Sequence, residues 1–386
     1  MPGGRFSALE SVFDGLETFL FVPNATSKRR GAHVHDAIDS KRTMSVVIFA
    51  LLPALLFGMY NVGLQHNIAL GQESSFWPTF FYGFLSVLPQ IVVSYAVGLG
   101  IEFIIAQLKH EEIQEGFLVT GILIPMIIPV ETPLWMIAVA TAFAVVFAKE
   151  VFGGTGYNVF NVALITRAFL FFSYPAAMSG DNVWVRLSST FGLGGEGKVV
   201  DGFTGATPLG QIAAGNVADI HNTLGNPLTD WDAFLGFLPG SVGEVSTLAI
   251  LIGACILIFT GIASYKIMVS GVVGVIAMAS LFNAIGTTPA MQVTALQHLL
   301  YGGFAFGIVF MATDPVTAAR TETGKWIYGF LIGVMVVFIR VLNAGYAEGM
   351  MLAILLMNTF APLIDYIVVE RNVSKRQARL VAKNKN

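Results

Sequence analysis

The sequence predicts an all-α polytopic membrane protein of about ten transmembrane helices in two five-helix halves, expected to be inverted repeats. Three observations carry this. Apolar residues fill 55% of the 386 positions and charged residues only 12%, half the roughly 25% of a soluble domain. Too few charges remain to cover a water-facing surface, and the mean hydropathy is +0.72. Apolar runs long enough for ~30 Å of hydrocarbon recur along the chain, and Lys and Arg gather on alternate loops.

The first segment, 1–44, has no cleavable leader. Phe6, Leu9, Phe13, Leu16 and Leu20 recur at helical spacing with Glu10, Asp14 and Glu17 between them. This describes an amphipathic helix on a membrane surface or partner. Ser27-Lys28-Arg29-Arg30 and Lys41-Arg42 follow and should stay in the cytoplasm.

Apolar runs fall near 45–64, 80–107, 117–130, 134–150 and 159–178, making a first membrane half over 45–178. The third run contains Pro125 and Pro129, so a broken helix is expected there. A polar, Gly-rich loop over 179–245 intervenes. Runs near 246–264, 267–286, 296–312, 326–342 and 347–368 make a second half over 246–368, followed by a basic tail, 369–386. An odd number of spans per half inverts the second half relative to the first. Loops 65–79, 131–133, 287–295 and 343–346 contain no Lys or Arg, which places both termini inside and the long loop outside.

The single Cys255 lies in an apolar run. It excludes a disulfide framework or a four-cysteine cluster within the chain and reads as a buried core thiol. No transition-metal site is expected.

Ionisable groups in or beside the runs are Glu102, Glu150, Arg167, Glu244, Asp314, Arg340, Glu348 and Asp365. Each is costly in hydrocarbon without a partner. A cation pathway is one use for the carboxylates, and salt bridges to Arg167 or Arg340 are the other. Phe152-Gly153-Gly154-Thr155-Gly156-Tyr157-Asn158 joins the fourth and fifth runs. Glycines let backbone approach a ligand closely, and Asn158 and Asn161 are expected on one helix face. The segment reads either as a tight turn with capping asparagines or as a site for a planar heteroaromatic ligand. Asp201-Gly202-Phe203-Thr204-Gly205-Ala206-Thr207 reads by composition as a turn-rich loop.

Taken together, Lys149 to Gly156, Gly180-Asp181, Asp201 to Thr207, Gly243 to Leu248, Met311 to Val316, Glu348 to Leu355 and Phe360 to Leu363 resemble one family in order along nearly the whole chain. It is the family of large, flavin-carrying membrane subunits, the B subunits, of bacterial sodium-translocating NADH:quinone reductases. The resemblance implies FMN held covalently on Thr207 by a phosphoester outside the cytoplasm, with Thr204 not flavinylated. It also implies a noncovalent riboflavin held partly by Asn158 and Asn161, with Gly153 and Gly154 beside it. Val162 stands where the family usually has Pro. The resemblance implies Na+ uptake or coupling at Glu10, Glu102, Glu244, Asp314 and Asp365, and quinone near Gly98 and Phe21. It implies an inner-membrane complex of six subunits, including a second FMN-carrying subunit and an NADH-oxidising iron–sulfur flavoprotein, with quinone and lipid as further partners and no nucleic acid. In that setting electrons would pass from FMN through riboflavin to quinone, coupled to Na+ transport. Two rivals remain: the homologous D subunit of an Rnf complex, and a redox-free secondary transporter. The loop looks extended over 191–197.

Overall fold

A computed structural model describes residues 40–73, 75–109, 116–181, 183–187, 205–217, 220–223, 225–343 and 345–384. The expected amphipathic segment with Glu10 and Phe21, Thr204 and the extension over 191–197 lie outside these. Among the described residues the fold is all-helical, with one isolated bridge between His221 and Pro227.

Among the described residues six helical segments are long and apolar enough to cross a bilayer. They are α1 (Ser40–Leu70), α2 (Phe76–Lys109), α4 (Leu134–Ala144, continued by a π turn and a 3₁₀ turn to Phe152), α10 (Tyr265–Ile285), α13 (Glu322–Leu342) and α14 (Met350–Asn384). The other four expected runs are shorter or interrupted, so the count of ten full spans does not carry over. They are α3 (Phe117–Ile127), α5 (Val162–Ser173), α9 (Thr247–Phe259), and a run split into α11 (Ala295–Leu300), α12 (Phe304–Phe306) and a π turn over Gly307–Met311. A helix of 11 residues, such as α3, rises about 16 Å, half of the hydrocarbon. Proline explains two of the breaks. Ile128 before Pro129 is extended (φ −104°, ψ 158°), and Tyr174 before Pro175 leaves the helix, as the proline ring demands of its predecessor. Three short helices lie in the connections: α6 (Pro175–Met178), α7 (Pro208–Ala213) and α8 (Asp230–Leu235).

Broken backbone at membrane depth survives only where protein satisfies it. Gly243 N–H donates to the Met126 carbonyl at 2.7 Å, so the end of the long loop closes a bond of the interrupted segment α3. The Gln90 amide donates to the carbonyls of Pro129 (3.2 Å) and Val130 (2.9 Å). Arg340 donates to those of His298 (2.6 Å), Tyr301 (3.0 Å) and Glu348 (2.9 Å).

The bundle has two distinct ends. One gathers Lys109, Lys149, Lys266, Arg320 and Lys325 and is called the basic end; Lys109 pairs with Glu150, and Lys266 and Lys325 with Glu322. The other carries α7, α8 and the described residues that follow α1 (71–73) and precede α14 (345–349) and is called the loop end. Helix α14 continues to Asn384, through the segment expected as a basic tail. Cys255 is exposed on α9 rather than buried, because Gly253 and Ala254 form the packed side of that turn.

Candidate functional site: two cavities joined by one helix

At the loop end a cavity of about 300 Å³ opens between Phe171, Trp184, Thr207, Tyr346 and Glu348, with Arg167 at its base. Thr207 is the N-cap of α7: its Oγ accepts from Gly210 N–H at 3.1 Å, and Pro208 takes the first helical position. Both choices suit a helix start, where N–H groups lack partners and proline loses nothing. The hydroxyl is thereby fixed on the cavity wall in a half-buried residue.

Behind this wall lies a buried charge network. Arg167 on α5 bonds Glu244 at 2.7 Å through Nη1 and Glu348 through Nη2. Ser241 donates to the other Glu244 oxygen. The Glu244 carboxylate lies where a side chain on Gly303 would stand. Planar guanidinium suits such a forked contact. Glu244 therefore pairs as the sequence allowed, with Arg167.

At the basic end a second cavity of about 100 Å³ is lined by Thr120, Lys149, Thr155, Asn158, Asn161 and Asp314 among others. The two asparagines meet there, but not on a shared helix face. Helix α5 begins only at Val162, so Asn161 caps it, accepting from Leu164 N–H at 3.3 Å, while Asn158 lies in the preceding turn and donates to Phe160 O at 3.0 Å. The turn needs glycine: Gly153, Gly154 and Gly156 all have positive φ (114°, 93° and 91°), a region closed to most side chains. Asn161 also reaches Asp314 at 3.4 Å, and Asp314 accepts from Val316 N–H (3.0 Å) and Thr317 Oγ (3.1 Å). Thr155 Oγ1 is buried on this wall without a hydrogen-bond partner.

The remaining carboxylates are engaged. Glu102 pairs with Lys149, neither Arg167 nor Arg340, because the π turn ending α4 brings Lys149 beside α2. Lys149 also stands 6.0 Å from the centre of the Phe117 ring, which packs on Gly98. Asp365 accepts from the N–H groups of Arg320 (2.7 Å) and Thr321 (2.9 Å), tying the loop before α13 to α14. Glu131 at the loop end faces Arg186 at 3.6 Å; burial pushes its carboxyl above the usual range and Arg186 pulls it back. Lys149 and Thr155 were not among the residues singled out from the sequence; nothing local distinguishes a lysine at a helix end that turns inward from one that faces water.

One helix joins the two cavities. From Asn161 to Arg167 is six residues of α5, about 9 Å, and to Phe171 ten residues, about 15 Å.

Comparison with known proteins fits this arrangement to a family. A family model described as the NQR2, RnfD, RnfE family matches residues 27–374. The chain is 46% identical over 402 residues to the B subunit of the Na(+)-translocating NADH-quinone reductase of Pseudomonas paraeruginosa, covering 98% of this chain and 96% of the relative. It is 45% identical over 407 residues to the same subunit of Neisseria meningitidis and 44% over 408 to that of Haemophilus influenzae, with the same coverage.

Proposed function

The chain belongs to the NQR2, RnfD, RnfE family, and we propose that it acts as the membrane B subunit of a sodium-translocating NADH-quinone reductase. The observation that carries this is identity of 46% with such a subunit across 98% of the chain. The chain is then one part of an oxidoreductase complex that works with quinone in a membrane. We place it in the inner membrane with both termini cytoplasmic, among six subunits that include a second FMN-carrying subunit and an NADH-oxidising iron–sulfur flavoprotein.

We assign the two cavities to two flavins. The loop-end cavity, about 300 Å³, offers an aromatic wall and a hydroxyl at Thr207 for FMN attached by a phosphoester, whereas the basic-end cavity, about 100 Å³, must widen to take a flavin ring. The basic-end cavity offers amides at Asn158 and Asn161 and an unpartnered hydroxyl at Thr155 for riboflavin. Bound there, flavins would supply one- and two-electron redox chemistry that no side chain of the chain provides. The protein holds, orients and shields. Arg167 keeps positive charge beside the loop-end cavity, and Glu244 and Glu348 hold its guanidinium in place. Lys149 does the same at the basic end with Glu102 behind it. Helix α5 fixes the separation of the two cavities. Asn161 and Asp314 share a hydrogen bond at the foot of α5, so an event in the basic-end cavity can reach a carboxylate that takes part in Na+ coupling.

Ultraviolet fluorescence of the denatured polypeptide tests the central assignment. The unaltered chain from assembled membranes should fluoresce on a denaturing gel, and Thr207→Ala should abolish the signal. A dark unaltered band, or fluorescence that survives the substitution, would falsify the assignment.

A further inference from the structure

The buried face of α2 is the wrong kind of face for a helix that only packs. Tyr82, Ser86, Gln90, Ser94, Gly98 and Glu102 recur at four-residue spacing, a line that winds about half a turn around the helix, and all six are buried inside the protein. From Tyr82 to Glu102 the stripe spans about 30 Å, the thickness of the hydrocarbon. Polar groups inside a membrane bundle point to function by default. At the loop end the stripe meets Arg186, whose Nη1 donates to the Ser86 carbonyl at 3.0 Å and which pairs with Glu131. At the basic end it finishes on Glu102 and Lys149.

Between these ends sit oxygens with nothing to bond. Gln90 (1% exposed) gives its amide nitrogen to two carbonyls of the broken segment after α3. Only the nitrogen can donate, so those bonds settle which way the amide faces. Its Oε1, an acceptor only, is left buried and unpartnered. One turn on, Ser94 (0% exposed) leaves its Oγ unpartnered, although Ser86 on the same face donates to the carbonyl four residues back at 2.9 Å. Thr141 on α4 (0% exposed) leaves its Oγ1 unpartnered too, as does Thr132 beside the broken segment. Glu102 pairs with Lys149; eight residues before each stand Ser94 and Thr141, so the two hydroxyls lie at about the same depth. Buried polar atoms are almost always satisfied, and orphans on two packed helices, Gln90 and Ser94 on α2 and Thr141 on α4, call for a shared ligand.

We propose that the polar face of α2 is a cation path, and that Gln90 and Ser94, with Thr141 of α4 at their level, form a sodium resting site within it. Amide oxygens, hydroxyls and carbonyls of interrupted helices are the ligands a small monovalent ion takes inside a membrane protein. The identity of the ion rests on the sodium-translocating reading above; the site itself rests on the unpartnered oxygens. Below it, the Phe117 ring against Gly98 closes the stripe before Glu102, so an ion held at Gln90 communicates with the loop end.

The test uses the intact complex in detergent and in vesicles, with Na+ as the probe. Ser94→Ala and Thr141→Val each remove a hydroxyl that bonds nothing, so assembly and flavin content should be unchanged. The Na+ concentration giving half-maximal stimulation of quinone reduction should rise about tenfold for Ser94→Ala, the factor for one lost ligand. Unchanged sodium dependence in the Ser94→Ala, Thr141→Val double variant, with flavin bound, overturns the site and assigns the hydroxyls to water. A complex lacking covalent flavin or quinone reduction in the unaltered chain overturns the functional reading instead, which keeps the two failures apart.

Discussion

Helices α2 and α10 stand second in their respective halves of the chain, yet they differ in how many polar side chains they bury. The inward side of α2 carries Ser86, Gln90, Ser94 and Glu102. That of α10 carries Ser270, Gly271, Gly274, Val275, Ala279 and Phe282. On α10 the glycines let backbone touch backbone: a Cβ on Gly274 would run into the Phe330 carbonyl of α13, and one on Gly333 into that of Gly271. Small residues at such crossings are how membrane helices pack closely without a hydrophobic drive between them. Helix α2 makes one such approach, since a Cβ on Gly83 would run into the Met59 carbonyl of α1; beyond it the buried positions are largely polar, with Ser94 Oγ and Gln90 Oε1 unpartnered. Helix α10 is a support built on backbone contact, and α2 combines such contact at its loop end with polar groups that await a ligand further along. If the halves descend from one repeat, they have divided the work.

The largest expected effect lies at the foot of α2. Lys149→Met strips Glu102 of its partner in a buried site, and removing one member of a buried pair costs about 3–5 kcal/mol. Thermal unfolding of the purified complex should fall sharply. Adding Glu102→Gln should recover most of the loss, because the stranded charge goes with it. A double variant no better than the single one would mean that Lys149 acts through packing on Phe117. Next comes the other helix: Gly274→Leu should cost about 1–3 kcal/mol by overpacking against α13. If the same change is tolerated, α10 and α13 can separate, and the two halves differ less than their buried faces suggest.

Six membrane-crossing helices could be read from the sequence because an apolar run of twenty residues has few alternatives in lipid. The four other runs could not, since hydropathy does not distinguish helix from extended chain once both are enclosed by protein. Pro125 and Pro129 announced one break. The break at Gly302-Gly303 had no such marker, and its carbonyl partner, Arg340, is about forty residues away. Among site residues, Asn161 was legible as a cap after glycines, whereas Thr207 sat in a segment that read only as a turn and was singled out by the resemblance alone. The partners of Glu102 and Asp365 were not legible: they lie 47 and 45 residues off in the chain, and only the fold brings them in. Arg167, 77 residues from Glu244, was one of two candidates, and the fold chose it. The polar stripe of α2 was there to be read, since 82, 86, 90, 94, 98 and 102 recur by four. A search for charges alone passes over serine and glutamine.

One matched substitution divides the two helices most finely. Ser270 on α10 donates its hydroxyl to the Ile267 carbonyl at 3.2 Å and packs against Gly329. Ser94 on α2 donates to nothing and accepts nothing. Both are buried, both are serines on a helix, and alanine removes the same atom from each. Ser270→Ala should lose about 1 kcal/mol, the net value of one buried hydrogen bond. Ser94→Ala breaks no bond within the protein and relieves an unpaired hydroxyl, so in sodium-free buffer its thermal stability should equal or exceed that of the parent. In sodium the order should reverse. A ligand that binds only the folded state raises stability with its concentration, and the parent should gain this while Ser94→Ala gains less. Equal sodium stabilisation of the parent and Ser94→Ala would leave α2 as merely the more polar of two packing faces.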